Sequence, residues 1–249
     1  MLFRSLDGRV GILINGIPIS LVVPVTLLDF VQSAEDYSQN YIFNSLIRAL
    51  RHMLVFATLY LPGLYISMNT FNIDMLPLDL ATTIAASKQG VPFGIPFQVI
   101  MMLIAFEVFL EAGLRLPSSI GQAVSLVGAI IIGDSAVNAK LISQGVVIVV
   151  AVTAIAGFAM PNQDFSNALR IMRILLAVSA SLMGVLGLCL GSLFLLFETA
   201  RVENMGVPYL APYATVNNPP SHDMTLRLPI KQHRMRPEFL KPKNRRKQK

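Results

Sequence analysis

Charge is scarce in this chain, tryptophan is absent and cysteine occurs once. Of 249 residues only 14% are charged and 54% are hydrophobic, whereas a soluble domain carries about a quarter charged residues. Between Leu116 and Leu169 the only charges are Asp134, Lys140 and Asp164. A stretch that apolar belongs in lipid or in a very large core, and a chain of this length cannot bury such a core. The lone Cys189 sits inside an apolar run, which excludes an internal disulfide and leaves packing as its expected role. The histidines, His52, His222 and His233, lack metal-ligand spacing, and neither a phosphate loop nor a nucleophile elbow occurs. The expectation is therefore no enzyme, no metal and no cofactor. The first fifty residues mix acids and bases without a long apolar run, so no signal peptide is expected.

The charge that is present is unevenly placed. From Arg227 to Lys249 there are ten Lys or Arg residues, Arg245 and Arg246 among them, against Glu238 alone. That balance of +9 leaves the rest of the chain at −3, since the whole is +6. A tail of this composition suits anionic lipid heads on the cytosolic side. Nucleic-acid binding is the competing reading, and without a folded recognition module it is not favoured.

Residues 9–24, "RVGILINGIPISLVVP", read as a β-hairpin turning at Asn15-Gly16, where a type I′ turn needs positive φ at both central residues. Pro18 demotes the second strand to a sheet edge. A lone hairpin is marginal in water, so it belongs to a larger unit or pairs with a partner. Ser33 followed by Glu35 and Asp36 marks the start of a helix lying at the membrane surface, flanked by Arg48, Arg51 and His52.

Five apolar segments follow: 54–70, interrupted at Pro62-Gly63, then 97–114, 119–133, 146–160 and 174–197, the last with 24 uncharged residues. About 20 residues span a bilayer. "LDLATTIAASKQG" is too polar to span and suits a re-entrant or interfacial helix. Five crossings starting inside would leave the basic tail outside, against the positive-inside rule. An even number, four, resolves this if one segment only dips into the membrane or if "SASLMGVLGLCLGSLFLLF" bends back at its glycines. The fold expected is mainly α: a polytopic membrane protein of four to five helices, with a short β-hairpin before it and a basic tail behind.

Within "FQVIMMLIAFEVFLEAGLRLP", Glu107, Glu111 and Arg115 advance about 40° per step and share one helix face. Ionisable groups at membrane depth face the bundle interior or water. Glu111 and Arg115 form a favourable i,i+4 pair. Glu107 is deeper and needs a cation, a wet lumen or a proton. With Gln122 and Ser125 these residues are the candidate pore or gate. Gly121, Gly128 and Gly133, together with Ser125 and Ala129, provide a close-packing face. Asp134 and Asn138 read either as a polar mouth or as ordinary loop residues. Arg170 and Arg173 follow an N-cap at Asp164 or Ser166; the helix dipole disfavours them there, so they are read with Arg48 and Arg51 as a flank at the lipid surface.

Taken in order, "GRVGILINGIPISLVVPVTLLDFVQSAEDY", "LYLPGLYISMNTFNIDMLP", "AASKQGVPF", "FEVFLEAGLRLPSSIGQAVSLVGAIIIGDSAV", "AGFAMPNQDFSNALRIMRILL", "GVPYLAP" and "DMTLRLPIKQHRMRPEFLKP" resemble the A subunits of GerA-type spore germinant receptors over residues 8 to about 242. The resemblance implies a polytopic protein of the spore inner membrane. It also implies partnership with a permease-like B subunit and a lipoprotein C subunit, and homo-oligomerisation, possibly as a pentamer, into a nutrient-gated channel for monovalent cations. A close paralogue group, the accessory proteins of the dipicolinate-channel locus, shares the fold and is the alternative within the resemblance. Family A subunits carry a soluble domain before the membrane part, so residues 1–45 are expected to be its remnant. Residues 46–200 are then the membrane domain and 201–249 the cytosolic tail, in a fragment, split product or degenerate copy. Two rival classes stand beside the channel: a secondary transporter using Glu107 as a proton or substrate site, and a non-conducting scaffold.

Overall fold

In the computed structural model, residues 8–16, 20–37, 40–114, 128, 133–213, 236 and 240 are described. β1 (Val10–Leu13) pairs antiparallel with β2 (Ser20–Val23), and α1 (Leu27–Val31) and a 3₁₀ turn (Ala34–Tyr37) follow. The helices are α2 (Tyr41–Thr70), α3 (Leu78–Ser87), α4 (Ile95–Leu114), α5 (Gln144–Phe158) and α6 (Gln163–Arg201), before a two-residue ribbon of β3 (Glu203–Asn204) and β4 (Val207–Pro208). Residues fall into two units. One holds 1–54, 159–165 and 194–249; the other holds 55–158 and 166–193.

In the first unit the hairpin forms, but not in the expected register. A two-residue turn at Asn15-Gly16 would pair Ile14 with Ile17, whereas the observed pairs run from Val10↔Val23 to Leu13↔Ser20. Gly16 still supplies positive φ (+89°). The shift is by two residues, so each side chain keeps its face. Arg9 fastens the hairpin: it forms an ion pair with Asp29 and donates to the Pro24 carbonyl at 3.1 Å. Asp29 in turn accepts from the Thr26 amide (2.7 Å) and hydroxyl (2.8 Å), closing the first turn of α1. The helix expected from Ser33 is only the 3₁₀ turn; its Asp36 accepts from the Ser33 amide at 3.1 Å.

The surface helix and the first span merge. α2 runs 30 residues without a break through Pro62, which is buried among neighbours. Its missing amide costs one backbone bond but does not end the helix. Three helices, α2, α4 and α6, are long and apolar enough to cross a membrane. α5 is not: 15 residues rise about 22 Å, short of the ~30 Å hydrocarbon core. The segment expected at 119–133 lies largely outside the described residues. α3 buries none of its residues.

The 39-residue α6 is two limbs joined at Gly184, whose φ of 61° and ψ of −135° lie outside any helix. In a straight helix Leu176 and Gly191 would be about 22 Å apart. Instead a Cβ at Gly191 would stand 3.0 Å from Leu176 Cδ2, and one at Gly187 would collide with the Ser179 carbonyl. The limbs therefore run back along one another, as the glycines in the sequence allowed. Gly63 of α2 packs against both: a Cβ there would meet Leu188 Cδ1 at 2.6 Å and the Leu176 carbonyl at 3.4 Å. The cap of α6 is Asn162, accepting from the Phe165 amide at 3.0 Å, in place of Asp164 or Ser166. Cys189 is exposed on the second limb, not packed.

Candidate functional site

α4 and the first limb of α6 carry opposite charges to one another across otherwise apolar surfaces. Glu107 Oε1 accepts from Arg173 Nη2 at 2.5 Å and Oε2 from Arg170 Nη1 at 3.1 Å. Arg170 also donates to Asn167 Oδ1, one turn earlier on its own helix. The Arg173 side chain is 1% exposed and that of Glu107 26%. Both arginines lie three residues apart on one face, so a single carboxylate bridges them. Charge-assisted bonds of this kind are strong, and the group keeps one net positive charge.

This geometry answers the need that the sequence raised at Glu107. The cation comes from the same chain, 63 and 66 residues away, and a lumen is not required to hold the carboxylate. Arg170 and Arg173 both turn to Glu107. Arg48 and Arg51 also turn inward. Arg51 Nη1 donates to Asp36 Oδ2 at 3.1 Å, Arg48 Nε lies 3.7 Å from the same oxygen and the Arg48 side chain is fully buried over the Tyr37 ring. Burying a guanidinium demands such an acid, and only the fold brings one to it.

The other expected site residues divide as follows. Glu111 is exposed on α4; Arg115, its expected partner, lies outside the described residues, as do Gly121, Gln122, Ser125, Arg245 and Arg246. Gly128 faces Phe109, whose Cδ1 is 3.8 Å from a Cβ placed there, and Gly133 faces Val147 Cγ1 at 3.4 Å. Asp134 and Asn138 join each other at 3.2 Å, on a helical stretch at 133–138. Among the described residues no cluster of His, Cys, Asp or Glu is placed to hold a metal.

Near the C-terminal end of the described chain, His52 accepts or donates at two points: Nδ1 meets the Arg48 carbonyl at 2.7 Å and Nε2 the Tyr213 hydroxyl at 2.9 Å. A carbonyl only accepts, so Nδ1 carries a proton, and in the neutral ring Nε2 accepts from the Tyr213 hydroxyl. Partial desolvation of the phenol, whose residue is still 43% exposed, pushes the Tyr213 pKa up to about 12, with Arg48 pulling it the other way.

An apolar helical protein with spanning-length helices tied by a buried ion cluster is a membrane protein by class. The chain belongs to the GerA spore germination family: the family model "Bacillus/Clostridium GerA spore germination protein" matches residues 3–239. It is similar to Spore germination protein B1 of Bacillus subtilis (strain 168), 40% identical over 232 residues, which cover 93% of this chain and 48% of that protein. Spore germination protein A1 of the same organism is 40% identical over 225 residues, 90% of this chain and 47% of that one. Spore germination protein KA is 37% identical over 233 residues, 94% and 43%. The chain thus spans about half the length of the curated relatives it matches. No solved structure matches.

Proposed function

We propose that this chain is the membrane part of an A-type germinant-receptor subunit, a component of a nutrient-gated channel for monovalent cations. In this reading Glu107, Arg170 and Arg173 are a gating latch, not a pore lining. The observation that carries the latch is the bidentate bridge from α4 to α6, made at the depth of apolar helices. Family membership carries the receptor role. A gate requires two discrete arrangements, and release of this ion cluster would supply the second. The partners are a permease-like B subunit, a lipoprotein C subunit, further copies of the chain and membrane lipid. The site of action is the spore inner membrane.

The reversal at Gly184 supports an even number of crossings, because both ends of α6 then lie on one side, with the basic tail on the cytosolic face. A second reading draws on the same cluster. Neutralisation of Glu107 inside one chain favours a non-conducting accessory or scaffold, since no open carboxylate at that position attracts cations. Cation flux into liposomes separates the readings, measured with the chain alone and beside a B-type partner. Nutrient-dependent flux that becomes constitutive in a Glu107→Gln/Arg173→Gln double variant supports the channel and its latch. Absence of flux from the assembled receptor overturns the channel in favour of the scaffold. Flux from a monomer, coupled to one substrate, overturns it in favour of a transporter.

A further inference from the structure

The first turns of α2 are polar on the inward side and apolar on the outward side. At about 100° per residue, Asn44, Arg48 and Arg51 fall on one side of the helix, and Ile42, Leu46, Met53, Phe56, Tyr60 and Leu64 on the other. The inward side is hydrogen-bonded: Asn44 Nδ2 donates to the Asp36 carbonyl at 2.7 Å and Arg51 Nη1 to the Val31 carbonyl at 2.6 Å. The outward side is open. Ile42 is 64% exposed, Leu46 68% and Met53 69%, and the Phe56 ring stacks on that of Tyr60 one turn further on. A helix facing water has the reverse arrangement.

Four features identify what faces this stripe. It is continuous: the same line of side chains runs through Phe56, Tyr60 and Leu64 into the part of α2 that is apolar enough to cross a membrane, with no Asp, Glu, Lys or Arg along it. The helix is also long. Its 30 residues rise about 45 Å, against ~30 Å of hydrocarbon. A tilt of about 40° shortens its reach across the bilayer to about 34 Å, which brings the turns at 42–50 to the acyl boundary. The side chains are large, whereas helices that pack on one another in membranes bring Gly, Ala or Ser to the contact. Lastly, a groove of about 610 Å³ on this part of the helix, lined by Asn40, Ile42, Phe43, Ser45, Leu46 and Ala49, has almost no polar wall. Its two polar side chains are turned to the backbone: Asn40 Oδ1 accepts from the Ile42 amide at 3.0 Å, and the Ser45 hydroxyl donates to the Tyr41 carbonyl at 2.8 Å.

We propose that the first three turns of α2, residues 42–53, are a surface for lipid acyl chains, one of which lies in the groove beside Phe43 and Leu46. The membrane part of the chain then starts at the first turn of α2 and not at Leu54. The cluster of Asp36, Arg48 and Arg51 lies behind that lipid, screened from water. The assignment rests on the membrane class alone and holds for a receptor subunit and a scaffold alike.

Because the chain has no tryptophan, a single indole reports its own surroundings. Leu46→Trp and Ile42→Trp each replace an exposed side chain, and Leu64→Trp marks the crossing part of α2. The full chain carrying one of them is reconstituted in phosphatidylcholine vesicles with plain or dibrominated acyl chains. Emission from positions 42 and 46 should fall about twofold in the brominated vesicles, as from position 64, and aqueous iodide should leave it unchanged. On the unmutated chain, a diazirine carried on a lipid acyl chain should label residues 42–53, a measurement that needs no substitution. Quenching by iodide in place of bromine means that water faces the stripe and overturns the proposal. Protection from both quenchers, with no photolabel in 42–53, means that a second copy or another protein covers it and overturns the proposal equally.

Discussion

At Arg173 the energetics are set by an asymmetry. Removing one partner of a buried ion pair leaves an uncompensated charge, at a cost of about 3–5 kcal/mol, while replacing both by neutral groups is close to neutral. Glu107, 26% exposed, is only partly buried, so Glu107→Gln should lower stability by less than that full amount, and adding Arg173→Met should restore part of it, Arg170 keeping its charge; thermal melts in detergent check both. Glu111→Gln, on an exposed position, should change little. A second residue-scale expectation concerns pH. Tyr213 is raised from 10.0 to about 12 by partial desolvation, so the folded state holds a proton that the unfolded chain loses first. Its contribution is complete below pH 10 and is lost as pH rises toward 12. Tyr213→Phe should flatten the fall in Tm over that window; an unchanged alkaline limb would remove Tyr213 as its cause.

The element that decides the architecture is α6. Gly184 combines φ 61° with ψ −135°, a conformation that residues with a Cβ avoid, and a Cβ there would also stand 2.9 Å from the Phe71 ring. Gly184→Ala should cost about 1–3 kcal/mol from backbone strain, with the steric overlap added to it. Gly63→Leu should be at least as harmful, since it forces apart α2 and both limbs of α6 at their closest approach. Differential scanning fluorimetry reads both against Gly206→Ala. That control also has positive φ (74°) but has nothing within 4 Å of its Cβ position.

For the whole molecule the consequence of the reversal is topological. In a Cys189→Ala background, cysteines at Gln163 and Arg201 should react with a membrane-impermeant maleimide from the same face, and one at Met183 from the opposite face. Labelling of 163 and 201 from opposite faces would mean a straight crossing and an odd count. That the relatives are about twice as long as this chain bears on assembly at the same scale. Flux measurements on this chain alone and with its partners address whether the matched half suffices.

Much of this was legible in one dimension. Scarcity of charge over 116–169 identifies lipid as the solvent, and the glycines of 184–191 permit a bend. Asn15-Gly16 marks a turn, although the strands pair two residues further on. These are local or compositional properties, for which the energy depends on neighbours in the chain. The partners of the charges are different. Glu107 announces a need for a counter-charge, and Arg170 and Arg173 sit awkwardly in a first turn, yet nothing local joins them across more than sixty residues. Arg48 and Arg51 meet Asp36 at shorter separation, yet that pairing too is set by packing and not by helix periodicity. Long-range pairing depends on which helix faces meet, and packing alone selects those faces. The sequence by itself therefore determined the apolar, helical class and the family; only the tertiary structure decided where helices merge or turn back and which buried charges neutralise one another, because Coulomb energy follows distance in space and not separation along the chain.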